Sequence, residues 1–166
     1  YNDGLVYRSK RDVNWCSKHQ TSLSDVETTN KEMVDTFYTF KIGEFQIGTS
    51  RPETKFGDKY VVVHPEDERY SKWKQGDTFE AEWILGPTTF TIIKDESIDM
   101  EFGTGAMTIT PWHSSIDFDI AKKHNLDMVQ VIDENGKLME IAGELKGLRA
   151  ITEGRKKTVE LLESKG

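Results

Sequence analysis

The sequence predicts a mixed α+β, strand-rich domain with a barrel-like β core and helices packed outside it. Three observations lead there. Short runs of alternating apolar and polar residues recur through the middle of the chain, glycine-bearing turns separate several of them, and only three stretches show helical spacing. Strands this short and numerous close on themselves more readily than they form one open sheet. The 166 residues suffice for one sizeable core, so a single domain over 1–166 is expected.

The elements follow in chain order. Thr36–Ile42, the turn Gly43-Glu44 and Phe45–Ile47 alternate aromatic or branched residues about a glycine, which marks a hairpin. Tyr60–His64, Phe79–Leu85, Thr89–Ile93, Ala106–Thr110 and Val129–Ile132 are further strands, with Phe79, Ala81, Trp83 and Leu85 on one face of the second. Pro65–Trp73 reads as a helix with proline in its first turn, and Ser114–Asn125 as another carrying Ile116, Ile120 and Ala121 at helical spacing. The last helix spans Thr152–Ser164. Thr152 is its expected N-cap, Val159, Leu161 and Leu162 its apolar positions, and Lys165-Gly166 its stop.

Charge and cysteine use narrow the function. With 22 Lys+Arg against 29 Asp+Glu, the net charge of −7 argues against a protein that coats duplex nucleic acid, whose binding rests on many cation–phosphate contacts. A pocket for one nucleic-acid end stays open. The longest apolar stretch, Tyr60–Val63, is far below the roughly 20 residues needed to span a bilayer, and no leader pattern is present. A soluble, cytoplasmic protein without membrane contact is expected. Cys16 is the single cysteine, so no intrachain disulfide forms. Cys16 and His19 lack a second Cys/His pair, and no metal site is expected.

Two segments carry chemistry. Gly48–Thr54 follows a strand and gathers Thr49, Ser50, Arg51 and Thr54, whose hydroxyls and guanidinium suit a ligand bearing hydroxyls or a phosphate. Composition alone equally allows a solvated turn. Phe102–Asp117 combines the flexible Gly103-Thr104-Gly105 with Ser114 as the cap of a helix whose first turn carries Asp117. That carboxylate could hold an ammonium group or close a capping box. A dinucleotide-binding loop is excluded, because the third glycine is missing and a strand follows. His113, Ser114 and Asp117 stand too close along one helix start to face one another as a hydrolase triad. Glu66-Asp67-Glu68 and Asp95-Glu96 read as solvated charge.

The sequence then resembles a family. Tyr7-Arg8, Val13–Cys16, Gln20–Glu27, Thr49–Thr54, Gly57-Asp58, His64–Tyr70, Gly103–Pro111 and Asp117–Leu126 occur in the order found in class I valyl-tRNA synthetases, over nearly the whole chain. Arg51-Pro52-Glu53-Thr54 differs from the isoleucyl pattern, and His64-Pro65 with Asp67–Tyr70 from the leucyl one. The His-Ile-Gly-His and Lys-Met-Ser-Lys-Ser signatures of the synthetic site do not occur. The resemblance therefore implies the editing domain (connective polypeptide 1), a closed β-barrel with peripheral helices, and no aminoacylation by this chain alone. Segments 1–35 and 145–166 would connect to the synthetase body.

The implied reaction is post-transfer editing, hydrolysis of mischarged threonyl-tRNA(Val); the alternative is a module that binds the tRNA acceptor end or serves the synthetase structurally, with weak or no hydrolysis in isolation. A pocket built for valine's methyls cannot strongly reject threonine, as is known of valyl enzymes, so a second pocket must select the hydroxyl. The resemblance makes Asp117 and Thr54 catalytic, Asp117 anchoring the α-ammonium. It places Thr49, Ser50, Arg51, Glu53, Phe102, Gly103, Thr104, Gly105, Thr108, Thr110, His113 and Ser114 around the substrate. The nucleophile is water, no metal or cofactor enters, and ATP belongs to the absent synthetic site. The partners are the tRNA(Val) 3′ end and the remaining synthetase chain, with a monomer expected. Two departures stand out: Thr108 replaces a common lysine and Ser114 a common aspartate. Either a compensated polar swap or an altered amino-acid preference follows.

Overall fold

Gly43 turns the chain with φ +58 between β3 (Tyr38–Ile42) and β4 (Phe45–Thr49), and Ile42 pairs Phe45 across the two-residue turn. The hairpin read from the sequence thus forms, and its inward Ile42, Phe45 and Ile47 are almost wholly buried. The computed structural model describes residues 2–29, 31–32 and 34–165. Gly166 of the expected helix stop, and Tyr1, Asn30 and Met33 of the expected N-terminal connection, lie outside the described residues.

A four-stranded sheet forms the centre, in the order β6-β7-β5-β8. Its strands are β5 (Tyr60–Val63), β6 (Thr78–Trp83), β7 (Gly86–Lys94) and β8 (Ala106–Thr108). β6 and β7 form an antiparallel hairpin, β5 runs parallel to β7, and β8 lies antiparallel to β5. The uninterrupted valines of β5 follow from its position, because both faces are covered. Val61 and Val63 join Phe45, Phe90 and Ile92 in the main core, while Val62 packs with Ile93, Ile109, Ile120 and Ala121 in a second.

No closed barrel is found. Among the described residues the strands form three separate sheets, and β4 lies along β8 and β3 beside β6 without joining them by ladders. β8 holds only three residues before the chain enters a 3-10 turn at Pro111–His113, so its free edge is short. On the other side a cavity of about 810 Å³, lined by Tyr38, Phe40, Ala81, Trp83 and Leu162, lies between β3, β6 and the C-terminal helix.

Several expected elements differ. Val129–Ile132 is reduced to a single antiparallel bridge from Ile132 to Leu138, because the Val131 and Ile132 N–H groups donate to the His113 ring. Pro65–Trp73 forms only the 3-10 turn Glu68–Tyr70, where the Asp67 side chain accepts the Arg69 N–H and Tyr70 stacks on Phe45. An unforeseen hairpin pairs β1 (Asn14–Cys16) with β2 (Thr21–Leu23). The helix α1 (Ser115–Lys123) has Ser114 as N-cap as expected, yet Ile116 is exposed and Phe118 takes an inward place. The last helix, α2 (Arg155–Ser164), begins after a π turn at Ala150–Gly154, so Gly154 and not Thr152 is its N-cap. Its Leu162 and Thr158 are buried.

Candidate functional site

Pro52 opens a 3-10 turn, Pro52–Gly57, in which every residue is buried. A turn with about three residues per revolution sends successive side chains in different directions. Glu53 therefore faces α2, where Arg155 donates to both carboxylate oxygens at 2.9 Å. Thr54 faces β8's continuation: its hydroxyl donates to Arg51 O at 3.0 Å and accepts from the Thr110 hydroxyl at 3.2 Å. Lys55 reaches β8 itself, with Nζ donating to Thr108 Oγ1 at 3.0 Å and to Thr108 O at 3.3 Å. The Trp83 indole fixes the turn by donating to Lys55 O at 2.9 Å.

Asp117 closes the cluster from α1. Its carboxylate is only 5% exposed; Oδ2 accepts the Thr110 N–H at 2.7 Å and Oδ1 accepts the Ser114 hydroxyl at 2.9 Å. The Asp117 N–H donates back to Ser114 Oγ at 3.3 Å. The capping role and the anion thus coexist, since a carboxylate has further lone pairs beyond these two bonds. Asp58 is the second buried carboxylate here. Burial pushes it up to about 7 and the nearby Asp117 charge adds to this, against the lowering effect of the Lys55 ammonium at 3.7 Å.

His113 sits beside this cluster in a fixed state. Its Nε2 accepts from the Val131 N–H at 3.0 Å and the Ile132 N–H at 3.3 Å, which requires a neutral ring. Burial pushes its pKa down to about 4, helped by the Arg51 guanidinium. Arg51 donates to His113 O at 2.6 Å, and its own N–H donates to Thr49 Oγ1 at 3.0 Å. No Ser/His/Asp relay exists, because Ser114 turns to Asp117 while His113 Nε2 turns to the 131–132 backbone.

The site residues named from sequence are therefore brought together unevenly. Thr54, Thr110 and Asp117 form one buried polar cluster that half-buried Ser114 joins through Asp117, Thr108 is buried nearby and bound to Lys55, and Thr49, Arg51 and His113 lie along the rim. Ser50 is exposed beside Arg51. Glu53 is held by Arg155, with Arg51 Nε 3.8 Å from its carboxylate. Phe102 stands 70% exposed on a separate loop and meets Phe37 edge-on at 6.1 Å. Gly103 and Gly105 turn that loop with φ of +59 and +68, and the Thr104 hydroxyl donates to Ala106 O at 3.0 Å. Lys55 and Asp58 escaped the sequence reading, although a buried 3-10 turn eclipses side chains three apart and Pro52 was its visible start. Among the described residues, no group of three or more His, Cys, Asp or Glu is arranged to hold a metal, and no helix is long and apolar enough to cross a membrane.

Comparison with known proteins agrees with the motif pattern. Residues 1–139 match the family described as "tRNA synthetases class I (I, L, M and V)", and the chain belongs to that family. It is 41% identical over 156 residues to the valine--tRNA ligase of Staphylococcus carnosus (strain TM300), covering 89% of this chain and 17% of that protein. The valine--tRNA ligase of Staphylococcus aureus (strain JH9) is 38% identical over 162 residues, with the same coverage of both chains. The chain thus spans about 17% of the length of these relatives. A solved structure described as "The crystal structure of GlLeuRS-CP1" overlaps 71% of this chain and 66% of its own, at 17% identity and a TM-score of 0.33. That likeness is too weak to define the fold.

Proposed function

We propose that this chain is the editing domain of a valyl-tRNA synthetase and hydrolyses the ester of mischarged threonyl-tRNA(Val). The observation that carries the reading is the buried cluster of Thr54, Thr110 and Asp117, with buried Thr108 two residues before Thr110 and bound to Lys55 beside Thr54. A threonyl side chain finds hydroxyl partners there. A valyl one would leave them unpaired, at a cost of about 1–3 kcal/mol for each buried group.

In this reading Asp117 accepts the substrate's α-ammonium, and Arg51 with Thr49 and Ser50 holds the terminal ribose and phosphate. Exposed Phe102 offers a ring face to the adenine. Thr54 and Thr110 orient a water, whose oxygen bonds to the ester carbonyl carbon while its proton passes to solvent. The carbon–oxygen bond to the ribose then breaks, and the ribose oxygen takes up a proton. The products are free threonine and tRNA(Val), with no covalent enzyme intermediate. Neutral His113 contributes its backbone carbonyl to Arg51 and does not act as a base. Segments 1–35 and 145–166 lead to the rest of the synthetase, which supplies the tRNA-binding surface that a chain of net charge −7 lacks.

The test is ester loss from threonyl-tRNA(Val) beside a valyl-tRNA(Val) control, with the unmodified chain and Asp117→Ala. Threonine-selective hydrolysis that Asp117→Ala abolishes supports the reading. Unselective turnover, or selective turnover that survives the substitution, overturns it.

A further inference from the structure

Beneath Thr108 lies an ion pair that the proposed reaction leaves without a task. Lys55 is 5% exposed and Asp58 2%, and charged groups are seldom this buried without a strong local reason. The Lys55 ammonium has three hydrogens and no acceptor; two go to Thr108 Oγ1 and O. Toward Asp58 the separation is 3.7 Å, an ion pair beyond good hydrogen-bond length. Both Asp58 side-chain oxygens are buried and have no hydrogen-bond partner among the described residues.

The consequence falls on the Thr108 hydroxyl. Because its oxygen accepts from Lys55 and its hydrogen is oriented toward the Asp58 carboxyl group, the hydroxyl is held at a fixed rotamer with one lone pair left to accept a further hydrogen bond. Thr108 lies on β8 opposite Val61 of β5, one residue before Ile109 and two before Thr110, whose N–H binds Asp117. The ammonium behind the threonine polarises that hydroxyl, and the Asp58 carboxyl group beside it orients it. Burial of the pair keeps water from competing for it.

We propose that Lys55, braced by Asp58, is a positioning residue that presents the Thr108 hydroxyl to a hydroxylated aminoacyl side chain and so sets threonyl-over-valyl selectivity. The inference rests on the editing reading above and deepens it. Lys55 touches no reacting atom. It acts only through Thr108.

The test compares the unmodified chain with Lys55→Met/Asp58→Leu, which removes both charges at similar volume, with Thr108→Val, and with the triple variant. The readout is kcat/KM on threonyl- and valyl-tRNA(Val), with thermal unfolding alongside. The threonyl-to-valyl ratio should fall at least about tenfold in the paired variant and in Thr108→Val, with no further fall in the triple variant. Thr108→Ser, which keeps the hydroxyl, should hold the ratio. A ratio within twofold of the unmodified chain in the paired variant, or losses that add in full, would overturn the proposal. Should the paired variant not fold, the ¹⁵Nζ resonance of Lys55 in the unmodified chain decides. It should shift on adding amide-linked threonyl-adenosine and not the valyl analogue, and equal responses overturn the proposal. If the unmodified chain turns over neither ester, the proposed reaction fails on its own. The inference is then read from Kd for the same two analogues: a threonyl preference lost in the paired variant supports it, and equal binding refutes it.

Discussion

Arg155 binds Glu53 through two parallel hydrogen bonds of 2.9 Å, tying α2 to the 3-10 turn that carries Thr54 and Lys55. The Glu53 side chain is fully buried and that of Arg155 is 20% exposed. Replacing Arg155 by Met should destabilise the chain by about 3–5 kcal/mol, because it strands a buried carboxylate. Glu53→Leu/Arg155→Met should recover most of that loss. Urea unfolding of both variants checks this, and a cost below about 1 kcal/mol for Arg155→Met would show that the pair is not holding the turn.

His113 gives stability a pH dependence of known sign. Its ordinary value is 6.5 and its folded value about 4, so between these the unfolded chain binds a proton that the folded chain does not. Stability from this residue is full above about pH 6.5 and is lost as pH falls toward 4, with a slope near ~1.4 kcal/mol per pH unit. His113→Gln should lose that slope. Thermal melts at pH 4.5, 5.5 and 6.5 measure it, and parallel profiles for the two proteins would contradict it.

Asp58 works in the opposite direction. Its ordinary value of 3.8 rises to about 7 on folding, so the folded chain holds a proton that the unfolded chain has released. Its contribution is most favourable below pH 4 and declines as pH rises to about 7. Relative to the unmodified chain, Asp58→Asn should therefore gain stability steadily over that interval. The carboxyl ¹³C resonance of Asp58 should titrate near neutrality, and a midpoint near 4 would refute the assignment.

Two glycines near the site should respond differently to alanine. At Gly105, φ is +68 and an added Cβ would stand 2.1 Å from Arg69 Nη2 and 3.0 Å from Met100 O, so Gly105→Ala should cost about 1–3 kcal/mol. At Gly48 a Cβ would meet the Phe37 ring at 2.4 Å, but that ring is half exposed and can swing away. Gly48→Ala should leave the melting temperature nearly unchanged while altering the ring resonances of Phe37 and Phe102.

The sequence was most legible where one local rule decided the outcome. The β3–β4 hairpin needed only alternation and a glycine turn, and α1 only Ser114 as a cap. Val129–Ile132 has strand composition, yet the Val131 and Ile132 N–H groups go to His113, a partner about eighteen residues away that periodicity cannot reveal. Pro65–Trp73 contains a proline start and apolar spacing, but Tyr70 and Trp73 are spent on stacking with Phe45. The site split the same way. Motif order named Thr54, Thr110 and Asp117, which the fold brings within hydrogen-bond reach of one another, while the burial of Lys55 and Asp58 depends on packing between the 3-10 turn and β8 that no spacing rule encodes.

The turn at Pro52–Gly57 has a consequence for how this part of the chain can vary. With about three residues per revolution, inserting or deleting one residue would rotate each following side chain by roughly 120°. An insertion before Glu53 would aim its carboxylate at Thr110, whereas a deletion there would aim the Thr54 hydroxyl at Arg155. Chain length here is thus constrained more tightly than side-chain identity: substitutions retune the local chemistry, whereas a single indel would dismantle the turn's connection to both β8 and α2 at once.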